Sequence, residues 1–185
     1  WYYKNKSQIM TYFKAIFLVL CLLTFSSYAS DTSTNLDKEL AVFKPYLGTW
    51  QADFKVPEGA KKIQDVGRWE RALNGKAIHT KHSINEGEYG GESMIFYDSK
   101  KESLVFYYFT TAGFYTKGTM KVLSPTQFVA YEDVTGSQDG ITKVKSMSEL
   151  KDDKFLVSTS YLKKGEWTKP EQRIYTRSTK TVKFK

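Results

Sequence analysis

The chain has 185 residues, with 28 Lys and Arg against 20 Asp and Glu for a net charge of +8, and 16% of it is aromatic. A single cysteine excludes an intramolecular disulfide framework, and cations standing singly between apolar residues argue against a nucleic-acid surface. A length of this order builds one domain with a packed core.

Residues 1–9 precede Met10 and are read as upstream residues outside the fold. From Met10 a lone cation, Lys14, leads into the apolar run Ala15 to Phe25, followed by Ser26-Ser-Tyr-Ala-Ser30. A short apolar run behind a cation, closed by small residues at Ser27 and Ala29, predicts a signal peptide over 10–29 that is cleaved after Ala29. Cys21 is an ordinary member of that run, because Leu20 occupies the place where lipid modification needs a small residue. Taking 29 from 185 leaves 156 residues, 30–185, as a single cysteine-free domain. Losing Lys4, Lys6 and Lys14 takes three from +8 and leaves +5. The expected location is periplasmic or extracellular.

After a polar tether, Leu36, Leu40 and Phe43 recur at helical spacing, with Asn35 or Thr34 as cap and Pro45 as stop. From Gly48 onward the period becomes two. Trp50, Ala52, Phe54 and Val56 fall on one strand face and Thr49, Gln51, Asp53 and Lys55 on the other, so Trp50 points inward. Turn residues at intervals of roughly ten then divide the chain into ten strands: 48–56, 63–73, 76–84, 92–98, 103–111, 114–123, 126–134, 141–150, 154–163 and 168–177. Together they predict an all-β, ten-stranded antiparallel up-and-down barrel with a short N-terminal helix.

Asn74-Gly75 predicts a two-residue turn that sets Leu73 opposite Lys76. Counting back, Trp69 meets Thr80, Arg71 meets Ile78 and Gly67 meets His82 on one face, while Glu70 meets His79 on the other. The apolar members, Trp69, Leu73 and Ile78, put the first face inside. His82 then points into the barrel, as a cavity group or as a hydrogen-bonded core residue, and His79 points out toward Glu70. Two histidines facing opposite ways cannot chelate one metal. No metal and no cofactor are expected.

Gly48-Thr-Trp50 after a short helix resembles the signature of the lipocalin-like, or calycin, barrels. The run Gly67-Arg-Trp-Glu-Arg-Ala-Leu-Asn-Gly75 with Met94-Ile-Phe-Tyr-Asp98 is similar to secreted bacterial families of that superfamily. The resemblance spans Leu47 to about Arg177 and implies that Trp50 plugs one end of a barrel carrying a small apolar ligand. In such barrels an arginine on the last strand lies over the tryptophan, a part that falls here to Arg177, with Gly48 completing the closure. Haem-binding members use a histidine late in the chain, and nothing after His82 is one, so haem is not carried over.

On the last strand Arg173, Tyr175 and Arg177 share a face. Arg-x-Tyr is similar to the pair with which intracellular fatty-acid-binding proteins grip a carboxylate, and a buried guanidinium beside a phenol is a good anion receptor. Alternatively Arg173 pairs with an internal acid such as Glu132, or faces solvent. The expected ligand-lining residues are Phe54, Trp69, His82, Phe96, Tyr108, Phe114, Arg173 and Tyr175. No nucleophile elbow, phosphate loop or catalytic cysteine is present. The expected function is thus binding of a small hydrophobic molecule, with or without an anionic end. The alternatives are an isomerase- or cyclase-like barrel enzyme using His82 as general base, and a non-catalytic cell-envelope interaction protein.

Overall fold

The structure, a computed structural model, describes residues 35–137 and 139–185; the expected leader at 10–29 and the upstream residues 1–9 lie outside the described residues. Alternating side chains and frequent turns produce eleven strands among the described residues. They are β1 Gly48–Asp53, β2 Gln64–Ala72, β3 Ala77–Ile84, β4 Tyr89–Asp98, β5 Ser103–Thr110, β6 Tyr115–Ser124, β7 Gln127–Val134, β8 Ile141–Lys151, β9 Lys154–Lys163, β10 Glu166–Trp167 and β11 Glu171–Arg177. Each pairs antiparallel with its neighbour, and β11 pairs with β1, so the sheet closes on itself and leaves no open edge in the ring.

The ring has ten members, as expected, because β10 and β11 both pair with β9 and are two pieces of one barrel strand. The expected strand over 168–177 is broken at Pro170, which has no N–H to give to the ladder. No helix among the described residues is long and apolar enough to cross a membrane.

The expected helix is a 3-10 helix over Lys38–Tyr46 that carries Pro45 inside it rather than stopping there. Pro45 gives up one helical hydrogen bond, and the chain leaves the helix only at Leu47, whose N–H donates to the Lys44 carbonyl at 3.4 Å. Its apolar side plugs one barrel end: Leu40, Phe43 and Tyr46 are fully buried with Trp50, Ile78 and Ile95. Phe43 and Tyr46 each meet Phe128 edge-on, at 5.1 and 5.2 Å between centroids, and Tyr46 meets Phe155 at 5.0 Å. Such contacts add about 0.5–1.5 kcal/mol each beyond simple burial.

Trp50 closes this end. Its indole N–H donates to the Tyr46 carbonyl at 2.7 Å, and the Arg177 guanidinium lies 3.8 Å from the ring centroid while donating to the Leu47 and Pro45 carbonyls. Gly48 is needed there twice over. Its φ of +112° suits only glycine, and a Cβ would stand 2.9 Å from the Arg177 Nη1.

The β2–β3 register is as read: Trp69 opposite Thr80, Arg71 opposite Ile78, Gly67 opposite His82 and Glu70 opposite His79. The turn, however, has four residues, Leu73 to Lys76, of which Leu73, Asn74 and Gly75 all have positive φ. A loop centred on the same point keeps the register whatever its length. Leu73 is 67% exposed instead of inside, because the strand ends at Ala72 and parity no longer applies to it.

Candidate functional site

Away from the plug the barrel is hollow. A cavity of about 730 Å³ is walled by inward side chains of nearly every strand, within the range of small-molecule pockets. Of the expected ligand-lining residues, Phe54, Trp69, His82, Tyr108, Phe114, Arg173 and Tyr175 line it. Phe96 does not. Ser93 faces the cavity and Ile95 is buried in the core, so alternation turns Phe96 outward, opposite Ala77 and Val105.

His82 is the centre of the polar wall. Its register partners on both sides are glycines, Gly67 on β2 and Gly91 on β4. That leaves a gap over Gly91 into which the Tyr108 ring leans from β5; a Cβ on Gly91 would lie 2.4 Å from that ring. His82 Nδ1 stands 3.0 Å from Asp65 Oδ1, and His82 Nε2 stands 2.7 Å from the Tyr108 hydroxyl. Both imidazole nitrogens are thus engaged, and the tautomer sets which of them donates. The Tyr89 hydroxyl, 3.2 Å from that of Tyr108, completes the chain. Burial first, and then the neighbouring Tyr89 hydroxyl, push the Tyr108 phenol far up from its ordinary range, so it remains a neutral donor.

Asp65 also accepts from the Tyr175 hydroxyl at 2.7 Å. This changes the expected Arg-x-Tyr pair, for the Tyr175 proton is already committed to Asp65. Burial and then that carboxylate hold the Tyr175 phenol well above its ordinary value. Arg173 does enter the lumen. Its guanidinium lies 4.4 Å from the Phe54 ring centroid and beside the Tyr161 phenol, and it donates to Glu171 Oε2 at 3.3 Å.

Arg173 therefore pairs with Glu171 at the strand end, while Glu132 stands apart from it. Glu132 faces the cavity from β7 and accepts from the buried Thr116 hydroxyl at 2.7 Å. Burial raises its pKa above the ordinary range, with Thr116 alone opposing.

Asp65, Tyr89, Thr116 and Tyr161 were not singled out from the sequence. Asp65 was within reach, since Trp69 and Gly67 face inward and one further step back along the same face gives Asp65. Tyr89 was hidden because 86–91 reads as a glycine-rich turn, whereas Tyr89, Gly90 and Gly91 belong to β4.

A scan against models of known protein families finds no match, and neither does a search of curated proteins. Among solved structures the barrel is similar to the crystal structure of Rv2717c from M. tuberculosis, at TM-score 0.53 and 12% identity, covering 78% of this chain and 99% of that one. The likeness is one of fold. What the two share is the closed antiparallel barrel.

Proposed function

We propose that this chain is an exported binding protein, periplasmic or extracellular, that holds a small amphipathic molecule in the barrel with its anionic end at Arg173. The observation that carries the reading is an aromatic cavity of about 730 Å³ with a guanidinium in its wall whose protein counter-charge sits toward solvent. Export rests on the composition of residues 10–29. A ligand carboxylate inside would add a second, more shielded partner, and guanidinium suits a two-pronged contact.

The test is the substitution Arg173→Met. Binding of dodecanoate should weaken by about 2–4 kcal/mol, and dodecanol should stay within roughly threefold. Equal losses for acid and alcohol, by titration calorimetry, would refute the anionic anchor.

The alternative reading, proton-transfer catalysis, is favoured by one feature, the Asp65–His82–Tyr108 alignment with both imidazole nitrogens engaged. If His82 only shapes the cavity, His82→Gln leaves ligand affinity within about tenfold. A general base would instead lose about 10²–10⁴ in rate with binding intact. Rate loss of that size would displace the binding reading.

A further inference from the structure

The inner face around Glu132 has an imbalance that the anion site does not explain. Strand alternation sends every cation of β6, β7 and β8 outward: Lys117, Lys121, Lys143, Lys145 and Lys151 are exposed. Across the inner face Glu132 is flanked by Gly118 on β6 and Val144 on β8, and its described hydrogen-bond partner is the Thr116 hydroxyl. No described cation pairs with it. Yet it lines the same cavity as Arg173 and lies close enough to the Tyr89 and Tyr108 phenols to act on them electrostatically.

A half-buried carboxyl without a cation is a cost to the fold, and a valine or methionine would fill the place more stably. Its surroundings suit a guest of opposite charge. An ammonium group would make a charge-assisted hydrogen bond to Glu132, with tyrosine rings nearby to receive its remaining charge. A hydroxyl would gain only an ordinary hydrogen bond, and an anion would be repelled once Glu132 ionises.

We propose that Glu132, held by Thr116, is the recognition point for a protonated amine on the ligand, in a subsite separate from Arg173. The inference rests on the cavity being a ligand site, and adds that its ligand carries a cationic end. The Thr116 hydroxyl contacts Glu132, and the Tyr89 and Tyr108 phenols lie within electrostatic reach of it, with His82 and Asp65 next along the chain. Because burial favours the protonated carboxyl, binding of an ammonium should expel that proton.

The probes are octylamine, 1-octanol and octanoate, titrated into the full chain in two buffers of different ionisation enthalpy. Wild type should bind octylamine at least about tenfold more tightly than octanol, with net proton release. Glu132→Gln should cut octylamine affinity by about tenfold or more, abolish the proton release and leave octanol within about threefold. Thr116→Val, which keeps the acid, should show a smaller loss in the same direction. Octylamine no tighter than octanol, or equal losses for both in Glu132→Gln, would overturn the amine subsite. Octanoate bound through Arg173 with octylamine unbound would overturn this inference and leave the anion reading standing. Failure of all three probes would overturn both.

Discussion

Asp65 and Glu132 are two acids in one cavity with different partners. Asp65 is only 5% exposed, accepts from the Tyr175 hydroxyl and stands 3.0 Å from His82 Nδ1, so both of its oxygens are engaged. Glu132 has one hydroxyl, and burial drives its pKa up. The sign of the stability effect follows. Folded Glu132 keeps its proton at a pH where the unfolded chain has lost it, so the native state binds more protons, and stability falls as pH rises from the ordinary carboxylate range through the raised value. Above that value the loss is complete. Glu132→Gln removes the titration, so the variant should match wild type at about pH 4 and exceed it at pH 7 to 8 by chemical denaturation. A variant less stable than wild type at pH 8 would mean that the carboxylate has a stabilising partner.

At the scale of the strand, what was legible depended on whether a local feature fixed parity. Asn74-Gly75 did so for β2 and β3, and the pairs counted from it are present except Leu73 with Lys76, which fall in the four-residue turn. The symmetry of a hairpin about its centre protects register from an error in loop length. Gly48, Trp50 and Arg177 were legible together because one register, Trp50 opposite Arg177, joins both ends of the barrel. Phe96 failed for lack of such an anchor. Its strand reads Met94-Ile-Phe-Tyr, apolar on both faces, and no period of two can choose between them. The Tyr108 site was half legible for a related reason. Parity places the phenol inside, but the space it needs over Gly91 is a property of the neighbouring strand. Similarly, Gly118 leaves room for the Phe106 ring, 2.6 Å from where its Cβ would be. Pairs of this kind join residues whose spacing in sequence follows no period.

Across the whole barrel, packing is divided along its axis. One end is filled by the 3-10 helix and the Phe43, Tyr46, Trp50, Phe128 and Phe155 rings, and the other encloses open space walled by aromatic and polar groups. Local opening free energy follows buried apolar contact, so a single strand should carry two levels of protection. On β5, amides near Leu104 and Phe106 sit over the core, and those near Thr110 border the loop that brings Ala112 and Phe114 to the cavity. Hydrogen exchange in the free protein should therefore be slower at the plugged end by roughly 10- to 100-fold, with the same gradient repeated on β7 from Phe128 toward Val134. A saturating ligand binds only the folded cavity and raises the cost of opening its walls, so dodecanoate should slow the hollow half and narrow the gradient. The plugged half, already near the limit set by global unfolding, should slow only as far as global stability rises. Uniform protection along β5 and β7 in the free protein would refute the division. Slowing by dodecanoate confined to the plugged half would place the ligand outside the cavity, whatever its affinity.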